Sequence, residues 1–588
     1  MKHTAHGYWL EEAGEVEPLP ALKGERSADV VIVGGGYTGL WTAWQLKKLE
    51  PGVEVALLEA DVCGHGPSGR NGGFCNSMWF SLPNMRARWG DGAALAVARA
   101  ARDAIDGVEA FCREEGVDAW FRRGGYLQVS TAPAHDGVWD EAVAACRDLE
   151  IGNVAGGTAN TTGKASTAGG AGNSAGDAAN TVGGVRSSAG DAALGRRVEP
   201  ARSLSHDEVA ARCASPAFRG GAFYPDAATV QPARLAQGLR ERLLAVGVEI
   251  YERSPVRQLA GRSAADFVGA RARTKSDARI GGALVPASSG SGGVVARTDR
   301  GVVRAGAAIV AIGGAAKAPG APLRDALTVT SSHIVLTEPV PELLEEIGWT
   351  GGECITDSRT LIDYFRTTPD GRIAFGWGGG RIAMGARLHG RAELDPDVVA
   401  AAAARLREYF PGLAGKRITH AWGGPVDASP THIPMVVPLP GGGVGGAYAA
   451  AAAGGSASGA SQWSSAKRPR GGRNAPAGQN ANAFATAGHS ANVFVVAGYT
   501  GNGVGPSYMV GRTLASLALD RRDEHSRLPI VDPSPQRVPP EPFHWLGGET
   551  IRRALVSKEN AELSGRMPHP ISSLISRIPK LVGFHVGR

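Results

Sequence analysis

Three glycines that directly follow a short apolar run are the residues whose spacing most clearly indicates a binding function in this chain. Val30–Val33 are apolar and mostly branched, as in a buried parallel strand, and Gly34-x-Gly36-x-x-Gly39 follows at once. In this spacing the first glycine allows a tight turn, the second lets a pyrophosphate approach the backbone, and the third lets a helix pack closely on the strand. A glycine-rich surface loop is the alternative when the glycines are taken alone.

A helix and a second strand complete the motif. A helical pattern begins at Leu40, directly after the glycine turn, so bound phosphates would lie at the helix N-terminus. Tyr37 and Thr38 lie in this turn and are predicted to belong to the same binding site. The second strand is predicted over Val53–Leu58, and Glu59 follows it, 20 residues beyond the last glycine. An acid at this distance is expected to hold a ribose hydroxyl. The combined pattern predicts a dinucleotide-binding α/β domain.

Two further glycine loops could contact the same ligand. Ser68-Gly69-Arg70-Asn71-Gly72-Gly73 can place backbone N–H groups and an arginine against a phosphate or an aromatic ring system, with a surface turn as the alternative. Gly498–Gly505 follows a predicted strand, Val493–Ala497, and precedes a predicted helix, Met509–Leu519. It is therefore a second glycine turn at a helix N-terminus, suited to an anion or a carbonyl oxygen.

Composition excludes several classes of function. The net charge of +6 lies in two biased stretches, 262–280 and 440–490, so no basic face for nucleic acid is indicated. The six cysteines are scattered without a C-x-x-C pair, which argues against a disulfide framework or a zinc site and suits a reducing cytosol. No signal peptide and no long apolar run are evident, so we expect a cytoplasmic protein without a transmembrane segment.

Three segments and the tail differ from the rest of the chain. Residues 153–192, 262–292 and 441–490 are rich in small and polar residues and are predicted to be disordered inserts. From residue 526 the chain is proline-rich and then amphipathic; we expect it to dock on the protein body, with a membrane surface as the alternative. Its amphipathic pattern is formed by apolar Ile571, Leu574, Ile575, Ile578, Leu581 and Val582 with basic Arg577 and Lys580.

The residues resemble the D-amino-acid-oxidase-like superfamily of FAD-dependent oxidoreductases. Within it, they are similar to the branch that contains γ-glutamylputrescine oxidoreductase and the glycine-oxidase-like enzymes. The likeness covers most of residues 8–525 once the three inserts are removed. Four blocks carry it: Val30–Leu40 with Glu59; Ser68–Gly73; Tyr364–Gly376 with Trp422-Gly-Gly-Pro425; and Gly498–Gly505 with its helix.

The resemblance implies an extended FAD that contacts residues from across the chain. The glycines at the first turn would face the pyrophosphate and Glu59 the adenosine ribose. Val256 and Gly313 would lie at the adenine end. The ring system would be covered by Ser68, Gly69, Arg70, Asn71, Gly72 and Gly73, and its O2/N1 edge would meet the backbone of Gly501, Asn502, Gly503 and Val504.

The implied fold has two domains. We expect an α/β Rossmann-like FAD-binding domain and a substrate domain built on a mixed or antiparallel sheet. The FAD-binding domain would comprise residues 1–84, 220–324 and 421–525. The substrate domain would comprise residues 85–219 and 325–420, and a tail would occupy 526–588.

Residues that would meet a substrate follow from the same resemblance. Arg366 lies where glycine-oxidase-like members carry an arginine that binds a substrate carboxylate, with a structural salt bridge as the alternative. Tyr364, His333 and Trp422 are further candidates for the pocket, with core packing as the alternative for each. The cysteine that binds flavin covalently in some members is replaced by Asp363, so non-covalent FAD is predicted.

The expected reaction is oxidation of a C–N bond in a small amine or amino acid. Hydride passes to flavin N5 and leaves an imine that hydrolyses, so no catalytic side chain is predicted, and no metal. Two alternatives stay open from the residues: an NAD(P)-linked Rossmann dehydrogenase, and a catalytically idle flavoprotein that acts as a binding subunit.

Overall fold

The computed structural model describes most of the chain outside its biased segments. The residues described are 2–3, 7–158, 200–261, 293–317, 321, 323–386, 390–439, 492–532, 534–581 and 583–584. The predicted inserts at 262–292 and 441–490 lie outside these residues, as does most of the insert predicted at 153–192. Its first six residues, 153–158, belong instead to the end of a helix.

The strands lie in two large sheets and one small pair. In chain order they are β1 (Lys2–His3), β2 (Gly24–Val33), β3 (Val55–Leu58), β4 (Phe74–Asn76), β5 (Tyr126–Val129), β6 (Arg202–Leu204), β7 (Gly221–Tyr224), β8 (Ala227–Thr229), β9 (Glu249–Tyr251), β10 (Gln258–Gly261), β11 (Val294–Arg297), β12 (Gly301–Val310), β13 (Thr328–Thr337), β14 (Cys354–Asp357), β15 (Asp363–Thr367), β16 (Ile373–Trp377), β17 (Ile418–Ala428), β18 (Met435–Leu439) and β19 (Asn492–Ala497).

The helices cover the faces of these sheets. They are α1 (Gly7–Ala13), α2 (Tyr37–Leu49), α3 (Leu82–Trp89), α4 (Asp91–Glu114), α5 (Asp140–Thr158), α6 (His206–Ala210), α7 (Pro232–Ala245), α8 (Pro341–Glu346), α9 (Pro396–Tyr409), α10 (Val504–Ala518), α11 (Phe543–Leu563) and α12 (Pro570–Leu581).

The first sheet has a parallel centre in the strand order β19-β12-β2-β3-β9. Val31 and Ile32 of β2 are fully buried, as expected for a strand covered on both faces. Strand β12 runs unbroken from Gly301 to Val310, because β2 pairs along its whole length.

The second sheet is mixed, in the order β1-β17-β13-β16-β15-β14-β5-β7-β6. Most neighbours are antiparallel, whereas β1 is parallel to β17 and β14 is parallel to β5. One face packs on α9, which begins at Pro396 after Asp395 caps it through the N–H of Asp397. The predicted fold class, a Rossmann-like α/β domain beside a mixed-sheet domain, is confirmed. The domain boundaries stay a prediction, and the one at 420 falls inside β17.

The chain termini join the two parts. Tyr8, Trp9 and Leu10 of α1 are buried against β17 and α7, so the N-terminal arm docks its aromatic side chains on the body. Helix α11 docks on the second sheet, where Glu559 accepts from the N–H groups of Thr360 and Leu361 at 2.8 and 3.1 Å. Helix α12 behaves differently, because its large apolar side chains face solvent.

A buried ion pair ties the first sheet to its surroundings. Glu252, just after β9, forms a two-point pair with Arg240 of α7 at 2.8 and 3.0 Å. The same carboxylate accepts from the N–H groups of Leu19 and Cys63 at 2.7 and 2.9 Å. The pair is almost fully buried, so loss of the cation leaves an uncompensated carboxylate inside the protein.

We expect Arg240→Met to destabilise the fold by about 3–5 kcal/mol, because it breaks a buried pair. The matched control is Arg257→Met, which removes the partner of Asp299 in an exposed pair worth about 0–1 kcal/mol. Thermal unfolding of the two variants and the parent measures both effects. Equal melting temperatures for the two variants would contradict the role given to the buried pair.

Candidate active site

The first glycine turn has the geometry that its spacing predicts. Gly34 follows β2 with φ of 107°, and its N–H donates to the carbonyl of Leu58 at 2.8 Å. A Cβ on Gly39 would overlap the carbonyl oxygen of Gly34, so only glycine allows α2 to start this close to the strand. Gly36 is the N-cap of α2 and forms no side-chain cap. The first turn of α2 thus begins directly after the glycine turn, with no N-cap side chain over the helix N-terminus.

Glu59 lies at the carboxyl end of β3, beside this turn. Its carboxylate accepts from the N–H groups of Gly35 at 2.6 Å and Asp61 at 2.9 Å. Burial raises the pKa of this carboxyl group, while the two backbone donors oppose the shift. The side chain is thus fixed at the edge of the sheet with acceptor positions left for a ribose hydroxyl.

The loop 68–73 folds over the start of α2. Ser68 Oγ accepts from the N–H of Tyr37 at 2.9 Å, so the helix N-terminus already attracts an oxygen acceptor. Asn71 fixes the shape of the loop: its Nδ2 donates to the carbonyl of Ser68 at 2.8 Å, and its Oδ1 accepts from the N–H of Gly73 at 2.7 Å. Gly69 is buried between them.

The second glycine turn leads directly into α10. This helix begins at Val504, five residues before the predicted start at Met509, so its N-terminus lies in the turn itself. Gly501 and Gly503 belong to the partly exposed rim of the turn. Asn502 Nδ2 donates to the carbonyl of Ser77 at 3.2 Å. Among the described residues, Asn502 Oδ1 is buried without a partner, which leaves an acceptor open at this position.

The two turns are coupled to each other through α2 and α10. Thr38 Oγ1 and the hydroxyl of Tyr499 form a buried hydrogen bond of 2.7 Å. Farther along the helices, Trp41 packs edge-on against Tyr508 with ring centroids 4.8 Å apart. Tyr37 points elsewhere, because its hydroxyl donates to the carbonyl of Pro232 at 2.7 Å. Its side chain is therefore held by the start of α7.

The residues assigned to the adenine end lie at the same edge of the first sheet. Gly313 follows β12, whose last residue, Val310, pairs with Val33 at the end of β2. A Cβ on Gly313 would meet no atom within 4 Å, so the space beside it is open. Val256 lies between β9 and β10 and is half-buried. Ligands of open α/β sheets bind at this carboxyl edge.

Tyr364 and Arg366 of β15 reach the loop 68–73 from the second sheet. A Cβ on Gly72 would lie 3.0 Å from the ring of Tyr364, and the Tyr364 hydroxyl is 2.7 Å from Ser332 Oγ. Arg366 is buried; its Nη1 donates to the carbonyls of Gly73 and Val230, and its Nε donates to the carbonyl of Thr367. Burial lowers the pKa of this guanidinium to about 10. In these three contacts the guanidinium binds backbone carbonyls through Nε and Nη1, and its contact with a substrate carboxylate stays a prediction.

Trp422 of β17 is fully buried and packs edge-on against Trp9 at 5.9 Å. Its Nε1 donates to the carbonyl of Arg70 at 2.8 Å, so it holds the loop 68–73 from the second sheet. Burial lowers the pKa of Arg70, which stays a cation at neutral pH. These contacts make Trp422 a core residue that positions the loop.

His333 does not join the other three candidates. Strand alternation places it on the face that packs on α9, in register with Trp377, whereas Tyr364 lies on the opposite face. Its Nε2 accepts from the N–H of Asp395 at 2.9 Å. Burial lowers its pKa to about 4, so it is neutral at physiological pH. The structure therefore gives it a position in the core, and the reason is the one-residue alternation of β13.

Asp427 is a site residue that the sequence analysis missed. It is half-buried in β17, its Oδ2 accepts from the N–H of Gly498 at 2.7 Å, and its carbonyl accepts from the N–H of Thr500 at 2.9 Å. Burial raises its pKa to about 6, and the Gly498 donor opposes the shift. The spacing of the sequence contained no signal for this pairing, because 71 residues separate Asp427 from Gly498.

The comparisons agree with this geometry. A family model described as FAD dependent oxidoreductase matches residues 29–517, more than half of the chain. The protein therefore belongs to this family, its cofactor is FAD, and it is an oxidoreductase. The family resemblance stated from the motifs is confirmed, and the NAD(P)-linked alternative is set aside.

Relatives show the same relationship at lower identity. The probable oxidoreductase OrdL of Rhizobium meliloti (strain 1021) is 27% identical over 71% of this chain and 78% of the relative. The γ-glutamylputrescine oxidoreductase of Escherichia coli (strain K12) is 24% identical over 72% and 79%. Glycine oxidase from Geobacillus kaustophilus has a TM-score of 0.51 at 16% identity over 84% and 96% of the two chains. L-amino acid deaminase from Proteus vulgaris has a TM-score of 0.52 at 15% identity over 89% and 99%. The two solved structures share the fold.

The residues present fit FAD. Two helix N-termini lie at the carboxyl edge of one sheet, and the acid at the end of β3 lies beside the first of them. The open space beside Gly313 and the unpartnered acceptor of Asn502 lie where the family resemblance puts the two ends of the cofactor.

We expect Trp422→Phe to weaken FAD binding about two- to tenfold, because it removes one neutral hydrogen bond to the loop and keeps the packing. The matched control is Trp349→Phe, which removes a buried indole N–H bond to the carbonyl of Glu353, away from the loop 68–73. Titration of FAD into the apoproteins measures both dissociation constants. Equal affinities for the two variants would contradict the loop-positioning role.

Non-covalent FAD remains a prediction. The burial of two cysteines near the loop 68–73 supports it. Cys63 and Cys75 are buried, and burial raises the pKa of both thiols. Since a thiolate is the nucleophile that attaches to flavin, both are held in the unreactive form. Acid precipitation of the purified protein is expected to leave flavin in the supernatant. Yellow colour retained in the washed precipitate would show a covalent bond.

Proposed function

We propose that this oxidoreductase oxidises the C–N bond of a small amine or amino acid. When bound, FAD supplies the hydride acceptor of this reaction, and the imine product hydrolyses in water. The chain itself then has to bind the substrate, orient it and exclude water from the reacting carbon. The arrangement of Tyr364 at Gly72 is the observation that carries the proposal.

The groups that contact Tyr364 are neutral. Burial raises the pKa of Tyr364 to about 12, so its hydroxyl stays protonated at neutral pH. It donates to Ser332 Oγ at 2.7 Å, because the Ser332 hydroxyl itself donates to the carbonyl of Trp377 at 3.0 Å, and the Tyr364 oxygen is left as an acceptor. The ring of Phe74 stands edge-on to the Tyr364 ring, with centroids 5.9 Å apart. A neutral, partly aromatic wall suits an uncharged amine, which is the form that can lose hydride.

Arg366 contributes in another way than the one expected from the family. Because its Nη1 donates to the carbonyls of Gly73 and Val230, we propose that it positions the loop 68–73. Its guanidinium also lies 5.4 Å from the ring of Trp9, which covers it further. An amino-acid carboxylate would require displacement of these contacts, so the geometry favours a substrate whose amine end, rather than a carboxylate, enters first.

Supporting the proposal, two relatives are named for enzymes of nitrogen-bearing substrates, γ-glutamylputrescine oxidoreductase and glycine oxidase. Those names describe those proteins. For this chain they define the chemical range of the substrate panel: polyamines and their acyl derivatives, small primary and secondary amines, glycine, and D- and L-amino acids.

The direct test is anaerobic mixing of the purified flavoprotein with this panel. At least one amine is expected to bleach the flavin absorption, and the rate is expected to rise with pH until the substrate amine is deprotonated. Dithionite reduction is the positive control for a reducible flavin. A protein that dithionite bleaches and no amine in the panel bleaches would favour the idle flavoprotein subunit instead.

Tyr364→Phe adds a readout for the location of the site. Loss of its hydroxyl is expected to slow bleaching by the best substrate by about tenfold, as for one hydrogen bond worth about 1.4 kcal/mol. The matched control is Tyr126→Phe, which removes a buried hydroxyl that pairs with Thr356 Oγ1 at 2.6 Å elsewhere in the same sheet. Equal rates for the two variants would place the substrate away from Tyr364.

A further inference from the structure

Helix α12 presents its apolar residues to solvent instead of to the protein. Ile571, Leu574, Ile578 and Leu581 are 61%, 64%, 40% and 78% exposed, and their spacing of three or four residues places them on one side of the helix. The side that faces the body carries three half-buried serines, Ser572, Ser573 and Ser576, together with half-buried Ile575 and buried Pro579. Ser572 Oγ lies 3.3 Å from Ser557 Oγ of α11.

This arrangement is the reverse of ordinary helix docking. A docked amphipathic helix buries its large apolar side chains and leaves serines in water, because burial of each large side chain contributes about 1.5–3 kcal/mol. Here the apolar stripe is continuous and uncovered over three turns. A stripe of this kind marks a surface for a binding partner.

The charge around the stripe selects the partner. Residues 564–581 contain Arg566, Arg577 and Lys580 and no Asp or Glu. Arg577 and Lys580 are exposed next to the stripe. The acids of the neighbouring α11 turn inward, since Glu549 is 7% exposed, Glu559 is 2% exposed and the Glu562 side chain is 9% exposed. The outer surface of the α11–α12 hairpin is therefore basic and apolar together.

We infer that α12 is a membrane-surface anchor that binds the anionic face of a lipid bilayer. Its apolar stripe enters the headgroup boundary, and its basic residues pair with anionic headgroups, each contributing about 1 kcal/mol. Helix α12 has 12 residues, too few to cross a bilayer, so it lies in the plane of the surface. No helix of the described residues is long and apolar enough to span a membrane. This inference is independent of the substrate proposed above.

Vesicle flotation with the full-length flavoprotein tests the inference. The parent is expected to float with vesicles of phosphatidylcholine mixed equally with phosphatidylglycerol, to bind vesicles of phosphatidylcholine alone more weakly, and to lose affinity at high salt. Leu574→Glu with Ile578→Glu is expected to lower binding to anionic vesicles by about tenfold or more. Both side chains are exposed, so this variant keeps its flavin content and melting temperature.

The matched control is Val138→Glu with Val246→Glu, which changes two apolar side chains that are 45% and 39% exposed elsewhere on the surface. It is expected to float like the parent. Failure of the parent to bind anionic vesicles, or equal binding by all three proteins, would overturn the inference. Light scattering tests whether a second copy of this chain binds the stripe instead. If the parent is a dimer, the α12 variant is a monomer and neither binds vesicles, the stripe is a dimer interface.

Discussion

The loop 68–73 is the structural element on which the rest of the site depends, because both large sheets hold it. From the first sheet, the N–H of Tyr37 at the start of α2 donates to Ser68 Oγ. From the second sheet, Arg366 binds the carbonyl of Gly73, and Trp422 binds the carbonyl of Arg70. A backbone segment held at both ends by buried donors keeps its shape without a regular ladder of its own. The relative placement of the cofactor-binding edge and the substrate-facing sheet is therefore set largely through this one loop.

Helix N-termini contribute to the electrostatics around the cofactor position. The N-termini of α2 and α10 lie at one edge of the first sheet, and the Thr38–Tyr499 hydrogen bond fixes one turn against the other. Such preorganised dipoles stabilise negative charge that develops on a ligand and need no reorganisation during the reaction. At the expected substrate position burial raises the pKa of the Tyr364 hydroxyl to about 12, which keeps it neutral, while the buried guanidinium of Arg366 stays a cation. This division suits a redox enzyme whose cofactor performs the chemistry and whose protein positions the reactants.

The C-terminal hairpin adds a surface to this core without entering the site. Helix α11 is anchored to the second sheet by Glu559, whose carboxylate accepts two backbone N–H groups and whose pKa burial raises to about 7. The anchor leaves the apolar side of α12 pointing away from the body. An oxidoreductase held at a bilayer surface in this way would keep its cofactor-binding edge and its membrane contact on one rigid scaffold.

The sequence by itself determined the dinucleotide site, the family and the start of helix α9, because these depend on local rules. Gly34, Gly36 and Gly39 have roles fixed by spacing along a single strand–turn–helix unit, and the start of α9 follows from Asp395 and the proline after it. Only the tertiary structure decided which side chains share a face or a contact. Arg366 binds two carbonyls from distant segments, His333 falls on the opposite side of its sheet from Tyr364, and Asp427 meets Gly498 across 71 residues. Burial and the register of strand pairing set these outcomes, and neither is fixed by neighbours in the sequence, since a shift of one residue in register would exchange the two faces.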